Sequence, residues 1–521
     1  MPGTIETAVA AWTKSGNSPY ENIEQAKQAA MKLRGFGLCG LCILRYIQLP
    51  IGIAYYDCTP EDVYQALGTE TDKIRKDAGE NNVESHSSQP CTACLGVLDL
   101  TLTAPIAEKY GAEAFDSQDV LVGIELPKSI YLRHRSVQVA GKQQGIPSVA
   151  SGVLEIKDVV RYLILHQLSN ACNVRADTSS GMKIEVAFSH SESAPEHELL
   201  VADQNQSAKQ SKGRRDKKGG TAKPESVPLT VLLTELDRCS DDSFAQRFTC
   251  PPPAISSAAK VESLAFKRTS LFVGGRYLKL ERNISQTPFI VEGRRVTETS
   301  VAEIIGEPLQ QLVRCDEYNL VGSGREDADV RMLGDGRPFY IECINPRITT
   351  ITPEQIHEIE AKLTNSNSSV QVRRLQLIRP EDTSIIKEGE ENKTKHYCAL
   401  VWVSEQLSQE KIDDINSLGQ SEILLQQKTP IRVLHRRAPL IRPKKLLSLE
   451  ISHIEGRFYK VRIESEAGTY IKEFVHGDLG RTTPSLAEFT GHTADILELD
   501  VENVSLDFPP APKMSTADNL E

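Results

Sequence analysis

Two cysteine pairs constrain the first part of this chain more than any other feature. Cys39-Gly40-Leu41-Cys42 and Cys91-Thr92-Ala93-Cys94 are Cys-x-x-Cys knuckles, the spacing at which one tight turn offers two thiolates to one tetrahedral ion while backbone N–H groups support the sulfurs. Two knuckles make a closed four-thiolate site. The competing reading is a redox pair or four separate buried thiols; one pair alone would leave it open, and a matched second pair favours metal. Zinc suits such a set. A closed site leaves no coordination position for water or substrate, so the metal is expected to hold the accessory region together and not to carry catalysis. Cys58 is a spare thiol without a close partner in sequence.

A chain of 521 residues exceeds what one hydrophobic core normally serves, so two domains are expected; 39% apolar and 25% charged residues are ordinary for a globular protein. The 60 Lys+Arg against 71 Asp+Glu give a net charge of −11, which excludes a protein that coats nucleic acid by bulk charge. Any RNA site must be a local basic patch. The first thirty residues lack both a signal-peptide apolar core and an Arg-rich transit face, and no segment approaches a membrane span. An intracellular location is therefore expected, in nucleus and/or cytoplasm, with the 11 cysteines as free thiols or metal ligands. A monomer is the simpler expectation for two self-contained domains.

Helical spacing from Tyr20 to Leu33 ends at Gly35 and Gly37, just before the first knuckle. Between Val120 and Leu200, strand-like runs surround a helix expected over Ile156 to Leu168, with Ile184, Val186 and Phe188 alternating on one face. This reads as a mixed α/β accessory domain over 1–257. Its segment 202–226, rich in Gln, Ser, Gly and Lys, cannot bury enough surface to offset ordering and is expected to be disordered. The lysines from Lys209 to Lys223 read as a solvated loop in preference to an import signal or RNA arm. Cys250-Pro251-Pro252-Pro253 marks a boundary, which sets a catalytic domain over 258–507 and a flexible tail over 508–521.

The most chemically informative phrase is Gly322-Ser323-Gly324-Arg325-Glu326-Asp327, followed by Ala328-Asp329-Val330-Arg331-Met332-Leu333-Gly334-Asp335-Gly336. A Gly-Ser-Gly turn delivers an acidic cluster to a β element, expected as a hairpin turning at Gly-Asp-Gly. The phrase resembles the Gly-Arg-x-Asp loop of pseudouridine synthases. Together with Gly275-Arg276-Tyr277, Ser285-Gln286-Thr287-Pro288, Lys428-Thr429-Pro430-Ile431-Arg432-Val433-Leu434-His435-Arg436-Arg437 and Ala467-Gly468-Thr469-Tyr470-Ile471-Lys472, and with the four cysteines, it resembles the archaeal and eukaryotic Pus-ten family of tRNA pseudouridine synthases.

That resemblance implies an α+β architecture: a mixed, largely antiparallel catalytic sheet flanked by helices, preceded by a THUMP-like, zinc-binding accessory domain. It implies isomerisation of uridine to pseudouridine in the tRNA T arm, at position 54 and/or 55, with no organic cofactor and with tRNA, and other structured RNA, as partners. Asp327 is the implied essential carboxylate, nucleophile or base. Lys472 is its implied ion-pair partner, on a short helix running to Gly477 that Thr469 is expected to cap. Tyr397 is the implied base-stacking tyrosine, with His396 where simpler members carry a small residue. Arg325 and Tyr470 are the implied substrate contacts; a salt bridge from Arg325 to Glu326, Asp329 or another local acid is its competing reading, of equal weight.

Lys428 to Lys445 carries Lys428, Arg432, Arg436, Arg437, Arg442, Lys444 and Lys445 and no acid, a local reversal of charge suited to phosphate tracking. Arg276, Lys279 and Arg282 are expected to extend this surface. Other readings compete. The Gly-x-Gly at 322–324 lacks the third glycine of a dinucleotide loop. Asp327 and Asp329, sharing a strand face, could hold a nuclease metal. A non-catalytic RNA adaptor would use the zinc and basic regions without Asp327.

Overall fold

The computed structural model describes residues 2–52, 55, 58–69, 89–197, 228–366 and 369–511. The insertion expected at 202–226 and residues 512–521 of the tail lie outside them. The chain divides into two units, Met1–Lys267 and Arg268–Glu521, each built on its own core. Among the described residues no helix is long and apolar enough to cross a membrane.

In the first unit, helix Ile23–Gly35 starts at Asn22, whose side chain accepts from the Gln25 N–H at 3.1 Å. Ala26, Ala29, Ala30 and Leu33 form its buried stripe, which is the helical spacing read from the sequence. Four strands follow: β1 (Asp119–Glu125), β2 (Arg175–Ala176), β3 (Met182–Ser189) and β4 (Lys260–Arg268), in the order β2-β1-β3-β4. β1 runs parallel to both β2 and β3, and helices Ser129–Gln143 and Ile156–Cys172 supply the crossover that parallel pairing demands. Burial alternates residue by residue along β3, with Met182, Ile184, Val186 and Phe188 inside. Because β4 completes this sheet, the division falls at Lys267/Arg268 and not at 258. The proline run precedes the last accessory strand.

The second unit is a ten-stranded sheet with helices against it. Its strands are β5 (Leu271–Lys279), β8 (Glu317–Gly322), β9 (Arg331–Ile344), β10 (Val370–Ile378), β11 (Lys395–Val403), β12 (Ile423–Lys428), β13 (Ile441–Glu455), β14 (Phe458–Ser465), β15 (Thr482–Thr483) and β16 (Ala494–Val504), with β6 (Ile290–Val291) and β7 (Arg294–Arg295) as a separate hairpin. The order is β10-β5-β9-β16-β11-β14-β13-β12-β15, with β8 beside β9. Pairing is antiparallel except where β9 meets β16 at Arg331 and Asp500. Helix Val301–Val313 lies so close to β8 that a Cβ on Gly306 would stand 2.2 Å from the Tyr318 ring.

Two expectations are corrected here. Gly334-Asp335-Gly336 is not a hairpin turn but a bulge within the single strand β9: Tyr277 faces Arg337 while Lys279 faces Met332, so several β9 residues oppose one on β5. Glycine is required, since Gly334 has φ +61° and a Cβ there would lie 1.9 Å from the Glu502 carbonyl oxygen. Nor does the catalytic core end at 507, because Phe508 is fully buried within it.

Candidate active site and metal centre

The acidic loop leaves β8 at Gly322 and is held from beneath. Ser323 N–H bonds the Pro338 carbonyl at 2.9 Å, and Gly324, at φ +82°, reverses the chain. A Cβ on Gly324 would stand 2.7 Å from the Lys395 Nζ, and the positive φ itself favours glycine there. Glu326 points into the core: Arg337 Nε donates to its Oε2 at 2.8 Å, and Tyr277 Oη donates to its two oxygens at 2.9 and 3.0 Å. Lys279, fully buried, donates to the carbonyls of Ile284 at 2.7 Å, Asp327 at 3.0 Å and Ala328 at 3.3 Å. Burial depresses the Lys279 pKa; burial likewise opposes charge on Arg337, but Glu326 beside it more than offsets that. With Glu326 and the backbone pinned, Asp327 and Asp329 are left on the open side.

Asp327 meets two cations. Lys472 Nζ lies 3.3 Å from its Oδ2, and Arg432 Nη1 lies 3.5 Å from the same oxygen. Lys472 is nearer to Asp329, at 2.7 Å. Partial burial works against ionisation of Asp329, yet Lys472 outweighs it and carries its pKa below the ordinary carboxylate value. Asp327, Lys472 and Arg432 line a cavity of about 470 Å³ with Arg325, Tyr397, Arg436, Arg437 and Tyr470. Tyr397 stands on β11 two residues after Lys395, so both face the cavity, while His396 turns to the opposite face, 3.8 Å from Glu464. Burial raises the Tyr397 pKa above that of a free phenol, which keeps its hydroxyl protonated as a donor.

Lys472 is aimed by the helix Ile471–His476. Its start is fixed by buried Gln427, which donates from Nε2 to the Tyr470 carbonyl at 2.9 Å and accepts from the Tyr470 N–H at 2.9 Å. Thr469 is not the cap: Tyr470 holds that position, and Thr469 Oγ1 donates to the Glu466 carbonyl at 2.8 Å. Gly477, at φ +80°, closes the helix as read from the sequence.

The basic run divides. Arg432, Arg436 and Arg437 reach the cavity, the last donating to Tyr470 Oη at 2.9 Å, whereas Lys428 is exposed at the end of β12 and lies outside the cavity wall. Arg442 and Lys444 are tied to Thr429 Oγ1 at 3.0 Å and the Ala467 carbonyl at 2.6 Å, and Lys445 pairs with Glu422. Arg276 is a correction: it is buried, and it donates to the carbonyls of Asp335, Gly336, Val504, Leu506 and Phe508, so it braces the β9 bulge and cannot reach RNA. Lys279 and Arg282 are likewise committed within the fold, the latter to Glu498 and Asp500. Sequence reasoning missed Glu473, buried and bonded to Arg432 Nε at 2.7 Å. Its place beside Lys472 was the one available signal.

In the first unit Cys39, Cys42, Cys91 and Cys94 converge, all four sulfurs within 4.8 Å of one another. Cys39 Sγ and Cys94 Sγ are 3.8 Å apart, close to the edge of about 3.8 Å in a tetrahedron with ~2.3 Å zinc–sulfur bonds. The Cys39 N–H donates to Cys91 Sγ at 3.2 Å. Thr92 stitches the knuckles together, its N–H on the Gly37 carbonyl at 3.2 Å and its hydroxyl on the Phe36 carbonyl at 2.8 Å. Donor set and spacing fit a four-coordinate metal ion. Cys58 is buried outside the cluster. Arg45, three residues after Cys42 on helix Gly40–Tyr46, is buried and contacts His134 Nδ1 at 3.1 Å. Burial and then the neighbouring Arg45 and Arg135 push the His134 pKa down to about 3, leaving it neutral.

Comparison with known proteins adds an independent line. The C-terminal domain model of Pus10 matches residues 272–505, and the N-terminal domain model of eukaryotic Pus10 matches residues 91–265. The human tRNA pseudouridine synthase Pus10 (Homo sapiens) is 31% identical over 532 residues, covering 94% of this chain and 98% of its own. The mouse protein of the same name (Mus musculus) is 32% identical at the same coverage. The tRNA pseudouridine synthase Pus10 of Archaeoglobus fulgidus is 37% identical over 286 residues, 52% of this chain and 78% of its own.

Proposed function

The chain belongs to the Pus10 family, and from that premise we propose that it isomerises uridine to pseudouridine in tRNA, at one or both of T-arm positions 54 and 55. The observation that carries the chemistry is one carboxylate, Asp327, held between Lys472 and Arg432 in a cavity of nucleoside size beside Tyr397. In the reaction the N1–C1′ bond of the target uridine breaks, the base turns, and C5 joins C1′. C5 loses a proton and N1 gains one, so nothing is consumed.

Asp327 acts at the ribose, as nucleophile or as base, with Lys472 and Arg432 beside it. Tyr397 supplies an aromatic face that retains the detached base, and a protonated hydroxyl for proton transfer at C5. Arg325, exposed at the cavity rim, contacts the target nucleotide or fills the space it vacates, and Arg436, Arg437 and Tyr470 meet the flanking strand. The four-cysteine centre holds zinc and organises the accessory unit, which as a THUMP-like module engages the tRNA away from the reacting base. The soft donor set and tetrahedral spacing support zinc.

The test is pseudouridine mapping at single-nucleotide resolution on an unmodified tRNA transcript, with wild type and Asp327→Ala and no added cofactor. New pseudouridine in the T arm that vanishes in the variant is expected. Unmodified transcript in both, with RNA still bound, would replace this reading with the adaptor.

A further inference from the structure

The geometry points to Glu473 as a positioning residue that docks the arginine-bearing loop, residues 429–440, onto the reacting carboxylate through Arg432, an inference that rests on Asp327 being that carboxylate. Glu473 is only 2% exposed. Its Oε1 accepts from Arg432 Nε at 2.7 Å, and its Oε2 is buried without a hydrogen-bond partner. A buried carboxylate with one partner is costly to leave without it. Among the described residues Arg432 is the cation within ion-pair reach of it.

The guanidinium is planar, so fixing Nε on a buried, immobile oxygen also fixes where the other two nitrogens point. Nη1 then lies 3.5 Å from Asp327 Oδ2. One side chain bridges a carboxylate of the helix Ile471–His476 and the carboxylate of the acidic loop. This second cation matters because Lys472 is not Asp327's alone: it stands 0.6 Å closer to Asp329, at 2.7 Å against 3.3 Å. Burial works against charge on Arg432, and Glu473 and then Asp327 more than restore it.

The loop has other anchors. The Ile431 N–H bonds Asp478 Oδ2 at 3.3 Å, and Arg481 Nη2 bonds the Thr429 carbonyl at 2.6 Å. These fix the loop's base; the Glu473–Arg432 bond is the one that reaches the reacting group. Arg436 and Arg437, on the same loop and facing the same cavity, are thereby mechanically joined to Asp327. Phosphate engagement by the loop and the charge state of the cleft are coupled through one glutamate.

The experiment is single-turnover pseudouridine formation on an unmodified tRNA transcript by the full chain, with enzyme varied to separate maximal rate from half-saturation. Glu473→Gln keeps the shape and removes the charge; its maximal rate is expected to fall about tenfold while half-saturation stays within about twofold, the pattern of an interaction used in the transition state. Arg432→Gln is expected to fall as far, and the double variant no further than Arg432→Gln alone. A wild-type maximal rate for folded Glu473→Gln, or additive losses in the double variant, overturns the inference. If Glu473→Gln does not fold, Arg432→Lys decides: it keeps the charge but cannot span both carboxylates, so a wild-type rate overturns the inference and a tenfold loss sustains it. Asp327→Ala is run alongside. Its inactivity with a normal Glu473→Gln sinks this inference alone, whereas full activity of Asp327→Ala sinks the carboxylate reading and this inference together.

Discussion

At the scale of single residues, the cleft sorts its ionisable groups by environment. Asp329 shares Lys472 with Asp327, the proposed reacting carboxylate, Tyr397 lines the same cavity as Asp327, and both Asp329 and Tyr397 are held in one protonation state. The Asp329 pKa is lowered in the fold by Lys472. The contribution of that pair is therefore complete above the unfolded carboxylate value of about 3.9 and is lost only as pH falls through the still lower folded value. Burial raises the Tyr397 pKa, so its hydroxyl remains neutral past the free-phenol value of about 10. Neither group can then shape a pH–rate profile between about pH 5 and pH 9. Limbs of the single-turnover profile in that interval are expected at the same pH in wild type, Asp329→Asn and Tyr397→Phe, whatever the change in absolute rate. An acidic limb near pH 6 that disappears in Asp329→Asn would show that Lys472 does not hold Asp329 as described.

At the scale of elements, the acidic loop owes its shape to a buried polar network beneath it. Glu326 and Arg337 side chains are each about 1% exposed and paired at 2.8 Å, with Tyr277 on both Glu326 oxygens and Lys279 at 3.9 Å. Removing one member of a buried pair strands the other, at a cost of roughly 3–5 kcal/mol. Arg337→Met leaves Glu326 with Tyr277 and the distant Lys279, so a loss near the lower end, about 3 kcal/mol, is expected in urea unfolding of the catalytic unit. A loss below ~1 kcal/mol would mean the pair is solvated in solution. This network also marks the limit of what the sequence made legible. The cysteine knuckles, the alternation of Ile184, Val186 and Phe188, and the phrases around Asp327 and Lys472 are local patterns, and locally they could be read. Arg276 was expected on an RNA surface because nothing local says that β5 is buried along almost its whole length, from Val273 to Lys279. Between two neighbouring strands, its guanidinium satisfies carbonyls freed by the β9 bulge and by residues 504–508. The bulge itself read as a hairpin because Gly-Asp-Gly suits both, and only pairing partners distant in sequence decide between them. Glu473 was invisible for the same reason: its meaning comes from Arg432, on a loop that only the fold brings to it.

At the scale of the whole chain, two units with separate cores divide the labour of stability, and the four-cysteine cluster that could hold a metal ion belongs to one of them. The four cysteines join the helix Gly40–Tyr46 to the turn at 91–94, and Leu41, Cys42, Cys91 and Cys94 are all part of the first unit's core. Without an ion, four sulfurs inside 4.8 Å are poor neighbours, since thiolates so close repel and thiols forgo the metal's bonding energy. Among the described residues the catalytic unit contributes no ligand to the cluster, and its cavity residues all lie beyond Arg268. Removal of metal by a chelator under reducing conditions is thus expected to destabilise the first unit selectively. Calorimetry of the full chain would show one transition moving down by several degrees or disappearing while the other stays in place, and limited proteolysis would cut first within residues 1–267. The Asp327-dependent reaction would then fall through weakened tRNA binding, with half-saturation rising and the maximal single-turnover rate largely kept. A chelated protein with both transitions unmoved would remove the metal from the account of the fold, and an immediate loss of maximal rate at saturating enzyme would place it in the chemistry proposed for Asp327.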